Sequence, residues 1–205
     1  MRAALIIAAA VVSYLVGGIN PAIILSNRLY KLDLRRFGSH NAGFTNFRRV
    51  LGDDNAWLVL IWDFLKSACM CALFGWLFGH FLGRFRLGAA IAMLCAVIGH
   101  AYPVWYEFKG GKSVAVFGAA MWFVDWRAGF VTIGVFLVML LTFRYMSLAA
   151  LCAGLGFLLS LGILWTPETV ILVLMGLSVA IVWWRHRENI GRLLRGTESK
   201  FSFHS

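Results

Sequence analysis

Acidic residues are scarce in this sequence, and charged residues of either sign are few. Nine Asp and Glu stand against nineteen Lys and Arg, and the four types together make up 14% of the 205 residues. Ordinary soluble domains carry about 25% charged residues, so the composition excludes that class of protein. The strand-like alternation of a membrane β-barrel is also missing.

Hydrophobic residues, by contrast, make up 61% of the chain. They gather in blocks of roughly 20 residues, the length that a helix needs to cross the hydrocarbon core of a bilayer. The sequence therefore predicts an all-α integral membrane protein that forms a single polytopic domain over residues 1–205.

Several motifs of metal sites and hydrolytic enzymes are missing as well. The four cysteines form no CxxC pair, and the five histidines have no metal-ligand spacing. No GxSxG nucleophile elbow and no His-x-x-x-x-Asp pair occurs. A Walker A motif is excluded because Tyr106 stands where its first glycine would be. We expect neither a metal nor a cofactor.

Seven apolar blocks predict seven transmembrane helices. The first, from about Ala3 to Ser26, contains Asn20-Pro21 near its end and is too long for a cleaved signal peptide. The others are predicted at about Asp54–His80, Leu87–Val104, Ser113–Val124, Ala128–Phe143, Ser147–Trp165 and Glu168–Trp184. The fourth is short enough to be tilted or partly interfacial.

The net charge of +10 indicates orientation and anionic lipid in a membrane protein, rather than nucleic acid. If the segment after the first span is cytoplasmic, 14 of the 19 Lys and Arg lie on that side. They are Arg28, Lys31, Arg35, Arg36, Arg48, Arg49, Lys109, Lys112, Arg144, Arg185, Arg187, Arg192, Arg195 and Lys200. Four lie on the other side, namely Arg2, Arg84, Arg86 and Arg127. The predicted N-terminus is outside, and residues 185–205 form a basic cytoplasmic tail.

Three polar clusters interrupt the apolar blocks, all on the predicted cytoplasmic face. The first cluster is GSHNAGFTNFRRVLG, residues 38–52; the second is GHAYPVWYEFKGGKS, residues 99–113; the third is RHRENIGRLLRGTESKF, residues 185–201. The Arg144–Ser147 turn falls on the same face.

The first cluster combines neutral donors, arginines that can bind phosphate with two hydrogen bonds, and glycines that permit tight turns. These residues are Ser39, Asn41, Thr45, Asn46, Arg48, Arg49, Gly38 and Gly43. An ordinary cytoplasmic loop explains the arginines, but not the dense set of Ser, Asn and Thr.

In the second cluster, Gly110 and Gly111 lie between Lys109 and Lys112. Glycine N–H groups next to a helix N-terminus can bind an anion, and Ser113 would stand at that N-terminus. A basic loop with glycine turns is the alternative interpretation.

Two further pairs are candidates. His186 and Asn189 lie one helical turn apart at the end of the seventh predicted span, where they can face the other clusters. Asp63 and Lys66, spaced i, i+3 inside the second span, can pair on one helix face. Ionisable residues within a span are functional candidates, although a purely structural ion pair is a serious rival.

These segments together resemble the bacterial acyl-phosphate:glycerol-3-phosphate acyltransferases, the PlsY family. The first cluster is similar to that family's GSGNxGATNxxRxxG, the second to GHxxPVFxxFKGGKG, and the third to HRENIxRLLxGxE. Asp63-Phe64-Leu65-Lys66 matches its D-x-x-K, and residues 144–148 match its RYxSL. The matches follow the family's order over most of the chain.

The resemblance implies transfer of a fatty acyl group from acyl phosphate to the 1-hydroxyl of glycerol 3-phosphate, giving lysophosphatidic acid and phosphate. Acyl phosphate is already activated, so no protein nucleophile is needed, and a phosphate oxygen of the substrate would take the proton. It also implies the bacterial cytoplasmic membrane, an active site facing the cytoplasm, surrounding bilayer lipid, and an upstream enzyme that supplies acyl phosphate.

Matching positions assign roles to this chain's residues. Ser39, Arg49 and Lys112 would be catalytic, and Asp63 and Lys66 would support the site. Substrate binding would fall to Gly38, Asn41, Thr45, Asn46, Gly110, Gly111, Ser147, His186 and Asn189.

Three positions depart from the family motifs. His40 and Ser113 each replace a Gly, and Phe44 replaces an Ala, so bulk enters a loop that otherwise keeps small residues.

Without the resemblance, the residues are also compatible with two other classes of function. A transporter for an anionic metabolite would need polar residues at mid-depth in several spans and internal repeats. A scaffold that holds acidic lipids on its basic face would need no glycine pair.

Overall fold

The computed structural model describes residues 1–164 and 168–202, and the regular elements in that part of the chain are helices. The α-helices are α1 Arg2–Gly18, α2 Pro21–Tyr30, α3 Phe44–Leu51, α4 Ala56–Leu82, α5 Phe85–Ala101, α6 Val114–Val124, α7 Trp126–Phe143, α8 Met146–Leu164, α9 Thr169–Arg185 and α10 Arg187–Leu194. The predicted all-α fold is confirmed. The predicted end of the sixth span, Trp165, and residues 203–205 of the predicted tail lie outside the described residues.

Five stretches of the described chain are long and apolar enough to cross a membrane. They are Arg2–Tyr30, Ala56–Leu82, Phe85–Tyr106, Trp126–Phe143 and Met146–Leu164. Helices α9 and α10 make a sixth if their 58° bend is taken as a break within one span. Helix α6 has 11 residues and is about 16 Å long at 1.5 Å per residue, which is about half the hydrocarbon thickness. Seven spans therefore remain a prediction.

The first predicted span is broken rather than continuous. Helix α1 ends at Gly18, and α2 begins at Pro21 after the extended residues Ile19 and Asn20. Asn20 caps α2, since its side-chain oxygen accepts the Ile23 N–H at 3.1 Å, and proline suits the first helical position because it lacks an N–H. The break exposes backbone carbonyls inside an otherwise apolar stretch.

The first cluster is half helix, where a polar loop was predicted. Residues 44–51 form α3, which buries Phe47 completely. Its ring meets Tyr30 edge-on at 5.9 Å and packs in a core cluster with Ala22, Leu34 and Val59. This apolar contact holds the polar residues of α3 against α2 and α4.

The chain forms two compact units, Met1–Val124 and Asp125–Ser205. In the first unit, α5 packs against α1, α4 and α6. Small residues bring α1 and α5 into backbone contact, because a Cβ on Gly17 would lie 2.6 Å from Ala96 Cα. Such close approach through small residues is the usual way in which membrane helices associate.

In the second unit, α8 packs between α7 and α9, and the short α10 contacts both α8 and α9. Gly156 again permits a close approach, since a Cβ there would lie 3.1 Å from a Val135 methyl group. The interpretation of residues 1–205 as a single domain stays a prediction.

Candidate active site

Asn46 organises the turn that carries Gly38 and Ser39. The Asn46 side chain is buried, and its oxygen accepts the Ser39 N–H at 2.8 Å. Its NH₂ group donates to Phe37 O at 3.0 Å and to Leu34 O at 3.4 Å. Both ends of the amide are therefore engaged within the protein. Substrate binding by Asn46 stays a prediction, but its hydrogen bonds also give Asn46 a structural role in this turn.

Gly38 is required by this turn in two ways. Its φ of +61° lies in the left-handed region, where side chains are disfavoured. A Cβ on Gly38 would also collide with the Asn46 side-chain oxygen. Gly43, by contrast, is extended at φ −160°, a conformation that any residue can adopt, although the chain bends there and the Gly43 N–H donates to Asn41 O at 3.1 Å.

The two arginines of α3 differ in their surroundings. The guanidinium of Arg48 pairs with the Asp53 carboxylate. Arg49 is exposed, and within residues 1–164 and 168–202 it makes no ion pair. The guanidinium of Arg49 is therefore available to an anionic ligand. Asn41 and Thr45 are half-buried at the turn and the first turn of α3.

The glycine pair of the second cluster is built differently from the prediction. The Gly110 N–H donates to Ala101 O at 3.3 Å, and the Gly111 N–H donates to His100 O at 3.0 Å. These N–H groups cap the end of α5, so the expectation that they are offered to an anion is wrong for this conformation. A Cβ on either glycine would collide with His100. The glycines are needed for close packing, and their binding role stays a prediction.

Lys112 and Ser113 follow the glycine pair at the start of α6. Lys112 is half-buried, and Ser113 directly precedes the first helical residue, as predicted. Ser113 has a φ of +61° and donates its hydroxyl to Val97 O at 2.9 Å. The hydroxyl therefore ties the turn to α5 instead of capping α6.

The first and second clusters lie against each other. The carbonyl of Ala42, in the first cluster, abuts Gly111 in the second. Just before the first cluster, Arg35 donates to Tyr106 O at 3.1 Å. Asp33 holds Arg35 in place with hydrogen bonds of 2.9 to 3.2 Å. The hydrogen bond from Arg35 lowers the pKa of the Asp33 carboxyl, outweighing the opposing effect of its partial burial. The structure thus brings the segment of Ser39 beside the segment of Lys112.

The predicted pair of Asp63 and Lys66 is present and buried, with 2.7 Å between Lys66 Nζ and Asp63 Oδ1. Two partners were not predicted. Lys66 also donates to Ile19 O at 2.7 Å, at the break between α1 and α2, and lies 3.1 Å from His100 Nδ1. His100 lies within a typical ion-pair distance of Asp63, 3.4 Å. Nothing local in the sequence indicates this third member, because His100 lies 34 residues from Lys66.

The remaining predicted residues, Ser147, His186 and Asn189, belong to the second unit. Ser147 and Asn189 meet at one carboxylate, donating to Glu198 Oε1 at 2.7 and 2.6 Å. Arg192 donates to the other oxygen at 2.7 Å. His186, the residue between α9 and α10, is buried, with Nδ1 2.8 Å from Val182 O of α9.

Glu198 is therefore a residue that sequence reasoning missed. Partial burial acts to raise the pKa of its carboxyl, but hydrogen bonds from Ser147, Asn189 and Arg192 outweigh it, so the pKa is lowered. The final glutamate of the third motif was the available signal, and its partner Ser147 lies 51 residues away.

Among the described residues, no three His, Cys, Asp or Glu side chains are grouped as metal ligands. In the first unit, the predicted site residues Ser39, Arg49 and Lys112 offer hydrogen-bond donors and positive charge.

The family model for glycerol-3-phosphate acyltransferase matches residues 7–196. Glycerol-3-phosphate acyltransferases of Paraburkholderia phymatum and Maricaulis maris are each 38% identical to this chain over 194 residues. The alignments cover 93% and 95% of this chain, and 90% and 86% of those proteins.

Solved structures agree with these relatives. The crystal structure of PlsY (YgiH), an integral membrane glycerol 3-phosphate acyltransferase, in its glycerol 3-phosphate form is 33% identical with a TM-score of 0.84. That match covers 96% of both chains. The lysophosphatidic acid form is 32% identical with a TM-score of 0.81, covering 96% of this chain and 95% of the other. The resemblance of the clusters is confirmed, and the chain belongs to the glycerol-3-phosphate acyltransferase family.

Proposed function

We propose that this protein transfers a fatty acyl group from acyl phosphate to the sn-1 hydroxyl of glycerol 3-phosphate, releasing lysophosphatidic acid and phosphate. The observation that carries the proposal is the contact of Ala42 in the first cluster with Gly111 in the second, in a chain that matches the family model over residues 7–196. The hydrogen bond from Arg35, just before the first cluster, to Tyr106 O supports the same contact. This contact brings together the two segments whose residues suit phosphate groups.

The proposed reaction needs no protein nucleophile. The hydroxyl oxygen of glycerol 3-phosphate attacks the acyl carbonyl carbon, the bond from that carbon to the phosphate oxygen breaks, and inorganic phosphate leaves. A phosphate oxygen of the substrate takes the hydroxyl proton. The protein supplies positioning and stabilisation of negative charge, which are large contributions to catalysis.

Ser39, Arg49 and Lys112 are proposed to bind phosphate oxygens and stabilise developing charge. Ser39 has its N–H engaged by Asn46, so its hydroxyl is the group it offers. The exposed Arg49 guanidinium suits bidentate binding of phosphate, and Lys112 adds a point charge at the start of α6. Asn41 and Thr45 are proposed as further donors beside them.

Ser147, His186 and Asn189 are proposed to bind glycerol 3-phosphate. Ser147 and Asn189 already share an anionic partner, the Glu198 carboxylate, which supports their suitability for an anionic or polyhydroxyl ligand.

Seven spans, with the N-terminus outside and the C-terminus cytoplasmic, are proposed for the protein in the bacterial cytoplasmic membrane. The active site would face the cytoplasm, where an upstream enzyme would supply acyl phosphate. The acyl chain would remain in contact with bilayer lipid.

Phosphate release by purified protein in lipid, given acyl phosphate and glycerol 3-phosphate, tests the proposal. Lys112→Ala and Ser39→Ala should each reduce turnover by roughly a hundredfold or more. The matched control is Lys109→Ala, because exposed Lys109 pairs only with exposed Glu107 among described residues, and it should remain near the wild-type rate. Folded wild-type protein that releases no phosphate would refute the proposal, and flux of anion without acylation would favour a transporter.

A further inference from the structure

His100 lies at the end of α5 with its ring buried between two groups. On one side, Nδ1 is 3.1 Å from Lys66 Nζ and 3.4 Å from Asp63 Oδ1. On the other side, Nε2 faces Gly111, where a Cβ would collide with it. The two ring nitrogens of His100 therefore face different partners, Nδ1 the Asp63–Lys66 pair and Nε2 the glycine turn.

These contacts close into a ring through four parts of the first unit. The His100 carbonyl accepts the Gly111 N–H at 3.0 Å, and Gly111 abuts the Ala42 carbonyl. That carbonyl accepts from Asn20 Nδ2 at 3.0 Å. Asn20 follows Ile19, whose carbonyl accepts from Lys66 at 2.7 Å, and Lys66 returns the ring to His100.

The ring joins the two segments that carry the proposed phosphate ligands. Lys112 directly follows Gly111, and Ser39 and Asn41 lie within three residues of Ala42. Apart from the half-buried Ile19, the members are buried, so a change at one of them moves its neighbours instead of being absorbed by solvent. His100 is the member that touches both the ion pair and the glycine turn.

We propose that His100 is a positioning residue for acylation: through Asp63 and Lys66 it holds the Gly110–Gly111 turn, and so Lys112, in register with residues 38–43. The proposal rests on the proposed function, because Lys112 must bind a substrate phosphate for its register to matter.

His100→Asn tests the proposal, because an asparagine oxygen can still accept from Lys66 while nothing fills the side facing Gly111. We expect retained folding and a fall in kcat/KM for glycerol 3-phosphate of roughly tenfold to a hundredfold, mostly through KM. His80→Asn is the matched control, since His80 is exposed at the far end of α4 and stacks on Trp76. His80→Asn should change neither kcat nor KM for glycerol 3-phosphate.

A double-mutant cycle with Lys112 distinguishes positioning from general stability. If His100 acts through Lys112, His100→Asn has little further effect in a Lys112→Ala background. A merely structural role would lower the folded fraction and reduce kcat at unchanged KM in both backgrounds alike. Additive effects, or an unchanged KM in folded His100→Asn, overturn the proposal while the wild type stays active. A folded but inactive wild type overturns the proposed function, and this proposal with it.

Discussion

Asn46 provides the sharpest test of how the first cluster is built. Its amide makes three hydrogen bonds to the backbone of the preceding turn, and each is worth about 1 kcal/mol net. Asn46→Ala should therefore lower the free energy of unfolding by about 2–4 kcal/mol. Asn46→Asp keeps the acceptor for Ser39, but turns a second oxygen towards the carbonyls of Leu34 and Phe37. Asn46→Asp should lower the free energy of unfolding at least as much as Asn46→Ala does, because burying a carboxylate without hydrogen-bond donors destabilises the folded state.

The consequence for activity follows from the same geometry. Once the turn is released, Ser39 no longer has a defined position, and turnover should fall by roughly tenfold to a hundredfold. Equilibrium unfolding in mixed micelles and phosphate release in lipid measure the two effects.

Asn55→Ala is the matched control, because half-buried Asn55 makes a single side-chain hydrogen bond, to Tyr30, within the described chain. Asn55→Ala should lower the free energy of unfolding by about 1 kcal/mol or less. Asn46→Asp with wild-type stability and only a raised KM for glycerol 3-phosphate would refute the structural task and make Asn46 a direct ligand. Equal losses for Asn46→Ala and Asn55→Ala would also contradict it.

Further predictions follow from backbone conformation and from charge. At His40 and Ser113, whose φ is positive, the glycine variant should be more stable than the alanine variant by about 1 kcal/mol; the opposite order in unfolding experiments would show that neither position is strained. Glu198 has a pKa below its ordinary value of 4.5, so its stabilising effect is present above that value and lost as the pH falls through the lowered pKa. Glu198→Gln should therefore flatten the loss of stability between pH 5 and the acid range, roughly where carboxylates titrate; an unchanged slope in pH-dependent unfolding would contradict the assignment.

The helices of this fold were largely predictable because hydropathy reports burial in lipid directly. The second span was predicted at about Asp54–His80 and is observed at Ala56–Leu82. The break in the first span was overlooked, although Asn20-Pro21 is a helix-start signal of cap and first residue. Helix α3 also had a signal, since Phe44, Phe47 and Leu51 recur at helical spacing. Both signals lay inside segments that had already been interpreted as span or loop.

The long-range contacts could not be predicted from one sequence. The sequence places Asp63 and Lys66 on one helix face, but the third member of their network arrives from α5, and the fourth is a carbonyl exposed by the α1–α2 break. The meeting of Ser147 and Asn189 at Glu198 likewise depends on tertiary packing. Local patterns identify which residues are polar within an apolar chain, whereas the partners that satisfy them depend on the fold.

The departures from the family motifs show how the backbone accommodates larger residues. His40 and Ser113 stand where the motifs have glycine, and both keep a glycine-like positive φ, 54° and 61°. Each offsets the strain with a side-chain contact, His40 Nδ1 at 3.1 Å from Arg35 O and Ser113 Oγ donating to Val97 O at 2.9 Å.

Phe44, which replaces the motif's alanine, is accommodated by apolar packing. It is the first residue of α3, and its ring centroid lies 5.3 Å from that of Trp57 at the start of α4. The expected crowding of the loop is therefore wrong, because the His40 side chain is exposed and the Phe44 ring joins the apolar packing between α3 and α4. The motif's glycines specify a backbone conformation, and that conformation survives their replacement where a neighbouring carbonyl or an apolar surface receives the added side chain.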